Sequence, residues 1–169
     1  MAIAVGLDFG SLGIRTAYMQ NEQLLVVPVP LDIELERNLL TREPIAGSSS
    51  MVAFSSLKYK LATNQMLQWR GSSYSLEDEL DIILTRVCRQ IETFAGDSIR
   101  RTLIAVPALY TTARREIVRR SARQAGFGEV ELVNDGTAAT LSYLSDAPGG
   151  SQTLLTFSCL LYTSDAADE

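Results

Sequence analysis

Histidine is absent from all 169 residues. That removes the Ser-His-Asp and Cys-His nucleophile systems and every His-containing zinc site. Cysteine is nearly absent: Cys88 and Cys159 are the only two. Cys159 opens a tail treated below, so Cys88 stands alone and an intramolecular disulfide framework is excluded. A reducing compartment fits, and Cys88 falls on the apolar side of an expected helix, as a core thiol would. Lysine is confined to Lys58 and Lys60, and Trp69 is the single tryptophan, read as packing under a loop. No run approaches the ~20 apolar residues a membrane helix needs. The apolar start MAIAVGLDFG is broken by Asp8 and lacks the basic flank of a signal peptide. The chain reads as cytoplasmic, with no membrane partner. No GxxxxGK[ST] run occurs, so a P-loop is excluded.

The tail Cys159–Glu169, CLLYTSDAADE, matches residue for residue the translation of the common transposase sequencing adapter. It is read as an artefact and set aside from the fold. The expected organisation is a first lobe over residues 1–150, the start of a truncated second lobe at 151–158, and adapter at 159–169. Without Asp165, Asp168 and Glu169 the acidic residues fall from 20 to 17 against 15 basic, and the formal charge from −5 to −2. That is an ordinary surface with no basic excess for nucleic acid.

Three β-like runs come first: Ile3–Phe9, apolar on both faces as in a central strand, then Ile14–Met19 and Gln23–Val29. Gly10–Gly13 and Gln20–Asn21–Glu22 separate them, and such short turns imply antiparallel neighbours. Leu31–Pro44 is charged and irregular, Ser50–Phe54 is a possible short strand, and Ser55–Tyr74 has no clear period. Leu76–Ala95 is a helix, begun by a capping-box-like Ser75 with Asp78 and ended by Gly96. Its apolar stripe is Leu80, Ile83, Leu84, Val87, Ile91 and Phe94. A strand Thr102–Val106 closed by Pro107 follows. Next come a basic helix Ala113–Ala125 capped by Thr111 or Thr112, and a strand Val130–Val133. After the turn Asn134–Asp135–Gly136 the order ends with a helix Thr137–Leu144 and a strand beginning over Thr153–Phe157. Three meander strands followed by alternating helices and strands predict an α/β fold, a mixed sheet with helices on both faces. This is the ribonuclease-H-like plan, shared by actin-like ATPases, sugar kinases and some nucleases.

Two strand ends carry the chemistry. In Asp8-Phe9-Gly10-Ser11-Leu12-Gly13 the glycines permit a tight turn whose backbone N–H groups form an anion-binding concavity. Asp8 ends a buried strand, a costly place for a carboxylate unless it meets a cation. Magnesium with retained waters is a natural partner. Asn134-Asp135-Gly136-Thr137 is the second candidate, placing Asp135 where it and Asp8 can converge on one metal-bound phosphate. A hairpin with a surface aspartate is the plainer reading of the first motif alone.

Together these segments resemble the seventy-kilodalton heat-shock chaperones (DnaK-type) of the actin-like ATPase superfamily. Val5–Ser11 is similar to the family's first phosphate motif. Leu103–Tyr110 with Ala113–Arg115 resembles its V-P-A-Y-F…A-Q-R run. Ala122–Phe127, Leu132–Ala139 and Tyr143 resemble its A-G-L…I-N-E-P-T-A-A…A-Y stretch. The resemblance covers Ala2–Met19 and Ile99–Tyr143. It implies ATP or ADP with Mg²⁺ as cofactors, Asp8 ordering magnesium and its waters, and catalytic roles for Asp8 and Asp135. Gly10, Ser11, Leu12, Gly13, Gly136 and Thr137 would border the nucleotide. Pro107 and Arg115 would form the relay that couples nucleotide state to peptide binding. Unfolded peptide clients and co-chaperones would be partners of the full-length parent.

Leu12 replaces a threonine of that pattern, Asp135 is one methylene shorter than the family's glutamate, and Gly136 stands at its proline. The stretch before Leu76 is short, and neither Lys58 nor Lys60 aligns with the family's catalytic lysine. Leu154–Ser158 resembles the strand before the second phosphate motif. Residues 1–158 alone are therefore expected to bind ATP poorly, to be inactive, and to expose an apolar face that limits solubility. Whether the parent is an active ATPase is left open by the residues. An actin-like filament protein and a nucleotide-sensing pseudo-ATPase are the alternatives; a sugar or acetate kinase would need an acceptor site that nothing marks.

Overall fold

The computed structural model describes residues 2–10, 13–27, 67–69, 72–146 and 153–156. Its centre is a five-stranded sheet in the order β3-β2-β1-β6-β7. β1 (Ile3–Gly10), β2 (Gly13–Gln20) and β3 (Gln23–Val27) form the expected antiparallel meander. The β2–β3 turn puts both Asn21 and Glu22 at positive φ, 51° and 65°. That double left-handed turn matches the twist of the flanking strands. β4 (Leu67–Trp69) and β5 (Ser72–Tyr74) make a separate two-stranded hairpin, a correction to the patternless reading of that stretch.

α1 spans Leu76–Ala95 as expected, ended by Gly96 at φ 69°. The Ser75 side chain accepts from the Glu77 backbone N–H at 3.1 Å. This is a simple cap that shields an early orphan donor, so the Asp78 box is not needed. Leu80, Ile83, Leu84, Val87 and Ile91 are buried. Phe94 is 51% exposed and meets Tyr18 edge-on, ring centroids 6.4 Å apart. It lies against the rim of the core rather than within it, which corrects its place in the stripe.

β6 (Ile99–Val106) runs parallel to β1 and begins three residues earlier than expected. α2 (Thr112–Gln124) is capped by Thr111, and β7 (Glu129–Asn134) pairs parallel with β6. α3 spans Asp135–Asp146, so the expected turn Asn134–Asp135–Gly136 is not a turn: the helix starts at Asp135. Residues 153–156 carry no strand, against expectation; Thr156 instead meets Thr140 of α3, hydroxyl to hydroxyl at 2.5 Å. Ser50–Phe54, Leu31–Pro44 and the tail 159–169 lie outside the described residues, as does the side chain of Trp69.

α1 and α2 cover one face of the sheet. Ile3, Val5, Leu7 and Tyr18 pack with Leu80, Leu84, Val87, Ile91, Val118 and Ala122 in a single buried cluster. Cys88 joins it, and burial pushes its thiol up to about 11, so it stays protonated. Among the described residues Thr16, Thr102 and Ser121 are the buried polar side chains. Thr16 and Thr102, 2% and 3% exposed, lie opposite Leu7 and Val5 on either side of β1. Neither hydroxyl has a hydrogen-bond partner among the described residues. A valine keeps the shape and removes the unpaired group. Thr102→Val is therefore expected to raise stability by roughly 1 kcal/mol, read as a higher urea midpoint at unchanged slope.

Among the described residues the other face is open at its centre. Leu24 and Val26 are 68% and 70% exposed, and Met19 and Leu103 are also exposed. α3 leans over its end, where Ala138 borders a groove with Gly6, Ala17, Leu103 and Val133. No α3 residue is buried. Parallel strand pairs are normally covered on both faces; among the described residues this surface is not. Among the described residues no helix is long and apolar enough to cross a membrane.

Candidate functional site

In an open α/β sheet, ligands collect beyond the carboxyl ends of the strands. Here β1, β6 and β7 all point their C-terminal ends the same way. Asp8, Pro107 and Asn134–Asp135 therefore share one rim. Asp8 is half-buried near the end of β1, and Gly10 pairs with Gly13 to close the β1–β2 hairpin. Ser11 and Leu12 at its tip lie outside the described residues, as do Lys58 and Lys60.

The register lays out one row across the open face: Arg15 opposite Asp8, Asp8 opposite Ala105, Ala105 opposite Val133. A groove of about 340 Å³ runs along this row, bounded by Thr16 and by Ala138 of α3. Among the described residues Asp8 and Arg15 are its only charged lining groups. Asp135 lies two strands over from Asp8, roughly 10 Å at the usual strand spacing. The rim thus places both carboxylates on one edge without making them direct neighbours.

Asp135 is the first residue of α3, and its Oδ1 accepts from the Gly136 backbone N–H at 2.8 Å. A carboxylate there also suits the positive end of the helix dipole. Gly136 is half-buried inside the first turn, and Thr137 is exposed. Among the described residues no group of three or more acidic or thiol side chains could cage a metal. A single rim carboxylate fits a magnesium ion that keeps its waters and arrives with phosphate.

The other half of the rim is tied together by Arg115, on the inner side of α2. Its Nε donates to the Tyr110 carbonyl at 3.1 Å, and one terminal nitrogen donates to the Pro107 carbonyl at 3.3 Å and to Asn134 Oδ1 at 2.5 Å. One planar fork thereby fastens the turn after β6 to the end of β7. Pro107 is fully buried. Tyr110 is buried too; burial raises its phenol well above its ordinary range, Arg114 opposes this, and Asp135 adds to it. Asp135 is thus electrostatically close to the Pro107–Tyr110 turn. The sequence marked Pro107 and Arg115 through resemblance, but gave Asn134, Arg15 and Tyr110 no role. For Arg15 a signal existed: pairing Gly10 with Gly13 forces Asp8 opposite residue 15.

The sequence model of the family described as "Hsp70 protein" matches residues 42–158. The chain belongs to the Hsp70 family. Its mixed sheet with flanking helices is part of the nucleotide-binding fold of that family and of the actin-like ATPases. Curated relatives agree. The chain is 26% identical to "Chaperone protein DnaK" of Endomicrobium trichonymphae over 93% of its own length and 28% of the relative's. It is 25% identical to proteins of the same name from Elusimicrobium minutum (strain Pei191), over 93% of the chain, and Thermosipho melanesiensis, over 90%, again spanning 28% of each. The chain therefore spans less than a third of these Hsp70 relatives. The Hsp70 match reaches Ser158, one residue short of Cys159.

Proposed function

We propose that the chain is first-lobe sequence of a DnaK-type chaperone ATPase that binds Mg-ATP between two lobes and uses nucleotide state to gate a peptide-binding domain. Residues 1–150 form that lobe, 151–158 begin the second, and 159–169 are adapter; the uninterrupted gene downstream of Ser158 decides this division. The observation that carries the reading is the rim itself: Asp8 and the Gly10–Gly13 hairpin stand at the carboxyl end of the central strand. Membership of a family that binds nucleotide supports reading that rim as a nucleotide site.

In this reading the hairpin backbone holds the β- and γ-phosphates, and Asp8 orients magnesium-bound water. The metal, when bound, neutralises charge on the phosphate oxygens. Asp135, Gly136 and Thr137 border the γ-phosphate side, where a carboxylate can orient the attacking water. No covalent intermediate is needed, since positioning and charge stabilisation suffice. Unfolded peptides and co-chaperones are the partners, acting through the Pro107–Arg115 relay.

Calorimetry on the complete gene product tests this. Micromolar-range ATP binding is expected with magnesium, much weaker binding in chelator, and about tenfold loss in Asp8→Asn. Magnesium-independent binding, or an unchanged Asp8→Asn variant, refutes the assignment.

A second reading has one observation in its favour. The Asp135 carboxylate is engaged by the Gly136 N–H of its own helix, which competes with a role in orienting water. A nucleotide sensor that binds without hydrolysing then follows. Single-turnover measurement separates the two: cleavage lost in Asp135→Asn supports the ATPase, no cleavage in the wild type supports the sensor.

A further inference from the structure

We infer that Arg15 is a phosphate-binding residue of the same site, supplying the cation that faces Asp8. This deepens the nucleotide reading and rests on it.

Residues directly opposite in an antiparallel pair project to the same face, with Cβ atoms about 5 Å apart. Asp8 and Arg15 are such a pair, and both line the 340 Å³ groove at the strand ends. Opposite charges so placed would ordinarily close on each other. Among the described residues no ion pair within 4 Å joins them, whereas Arg101 on the same face is tied to Glu129 at 3.1 Å. Arg15 is exposed and Asp8 half-buried, so the guanidinium is free to swing over the groove mouth.

Among the described residues the rest of the lining offers no other cation. Ala105, Val133 and Ala138 are small or apolar, and Thr16 is buried with its hydroxyl turned inward. A site with one carboxylate and one guanidinium side by side suits a magnesium polyphosphate. The carboxylate takes the hydrated metal, and the planar fork takes phosphate oxygens. Arg15 lies two residues after Gly13, on the strand that leaves the phosphate hairpin. Lys58 and Lys60 are the only lysines in the chain, which makes a hairpin arginine the cation most directly tied to Asp8 by the fold.

Binding of MgATP, MgADP and adenosine is to be measured by calorimetry on the complete gene product. The set is wild type, Arg15→Ala, Arg15→Lys and Arg101→Ala. Arg15→Ala is expected to weaken both magnesium nucleotides about tenfold and to leave adenosine unchanged. Arg15→Lys should recover part of the loss, because it keeps the charge but not the fork. Arg101→Ala removes the same charge outside the groove and should change nothing by more than about twofold. Equal losses for adenosine and nucleotides, or none for either, overturn the inference and leave the nucleotide reading standing. A wild type that binds none of the three ligands removes both the inference and the nucleotide reading.

Discussion

Replacing Gly128 by alanine is expected to cost about 3 kcal/mol or more, and at that level to abolish soluble expression of the chain. Gly128 lies just before β7. A Cβ added there would sit 2.0 Å from the Arg100 carbonyl oxygen, 2.4 Å from its carbon and 2.8 Å from the Ile99 oxygen. These atoms are backbone, so no rotamer change relieves them. The β6 segment they belong to is paired on both sides, with β1 and with β7. Relief requires β7 to peel away at Arg101–Glu129, where its register begins. Stability of a domain this size is only about 5–15 kcal/mol in total. The control is Gly96→Ala. Gly96 has φ 69° but nothing within 4 Å of the added carbon, so only the left-handed backbone is penalised, at about 1 kcal/mol. Urea midpoints for the two variants give the comparison. A Gly128→Ala protein no less stable than Gly96→Ala would show that the close approach is not sterically binding.

Gly128 also marks a limit of sequence reading. Nothing in Phe127-Gly128-Glu129 distinguishes a backbone contact from an ordinary loop glycine, because the contact is with a strand nearly thirty positions earlier. The long elements were legible where side-chain pattern and burial coincide. α1 shows an unbroken 3.6-residue stripe from Leu80 to Ile91 and a glycine stop, and both bounds agree with the structure. The meander was legible because its turns are too short for any other pairing.

The errors cluster where two physical signals conflict. The start of β6 was missed because Arg100 and Arg101 face the open side, so charge masked the strand. Asn134, Asp135 and Gly136 all favour turns through side-chain hydrogen bonding or backbone freedom. The same property lets the Asp135 carboxylate satisfy an orphan donor of the first helical turn, and β7 passes directly into α3. Phe94 kept the helical period but stays half exposed, its ring edge-on to Tyr18. For the rim, the Asp8–Gly13 motif at a strand end pointed to Asp8 and its glycines. The Arg115 link to Asn134 joins positions 19 apart and depends on α2 packing across β7, which no local pattern encodes.

That link yields the second large effect. Arg115→Met keeps most of the side-chain volume but withdraws a guanidinium that serves three acceptors on two strand ends. The Pro107 carbonyl belongs to a fully buried residue and would lose this donor, though the Tyr110 N–H still bonds to it at 3.0 Å. The Asn134 carboxamide would lose its donor outright. Each unpaired buried group costs about 1–3 kcal/mol, and partial solvent access to Arg115 reduces the sum. A net loss of about 2–3 kcal/mol is expected. Arg115→Lys should restore less than half, since one ammonium cannot span the fork. Asn134→Leu alone should cost about 1 kcal/mol, and added to Arg115→Met it should cost almost nothing further, because its partner is already gone. Additive losses would place the two side chains in separate interactions. In the complete gene product, the proposed relay adds a second readout: Arg115→Met should keep magnesium-ATP affinity within about threefold while losing ATP-triggered peptide release. Retained release would leave Arg115 a structural fastener of the rim, with coupling carried elsewhere.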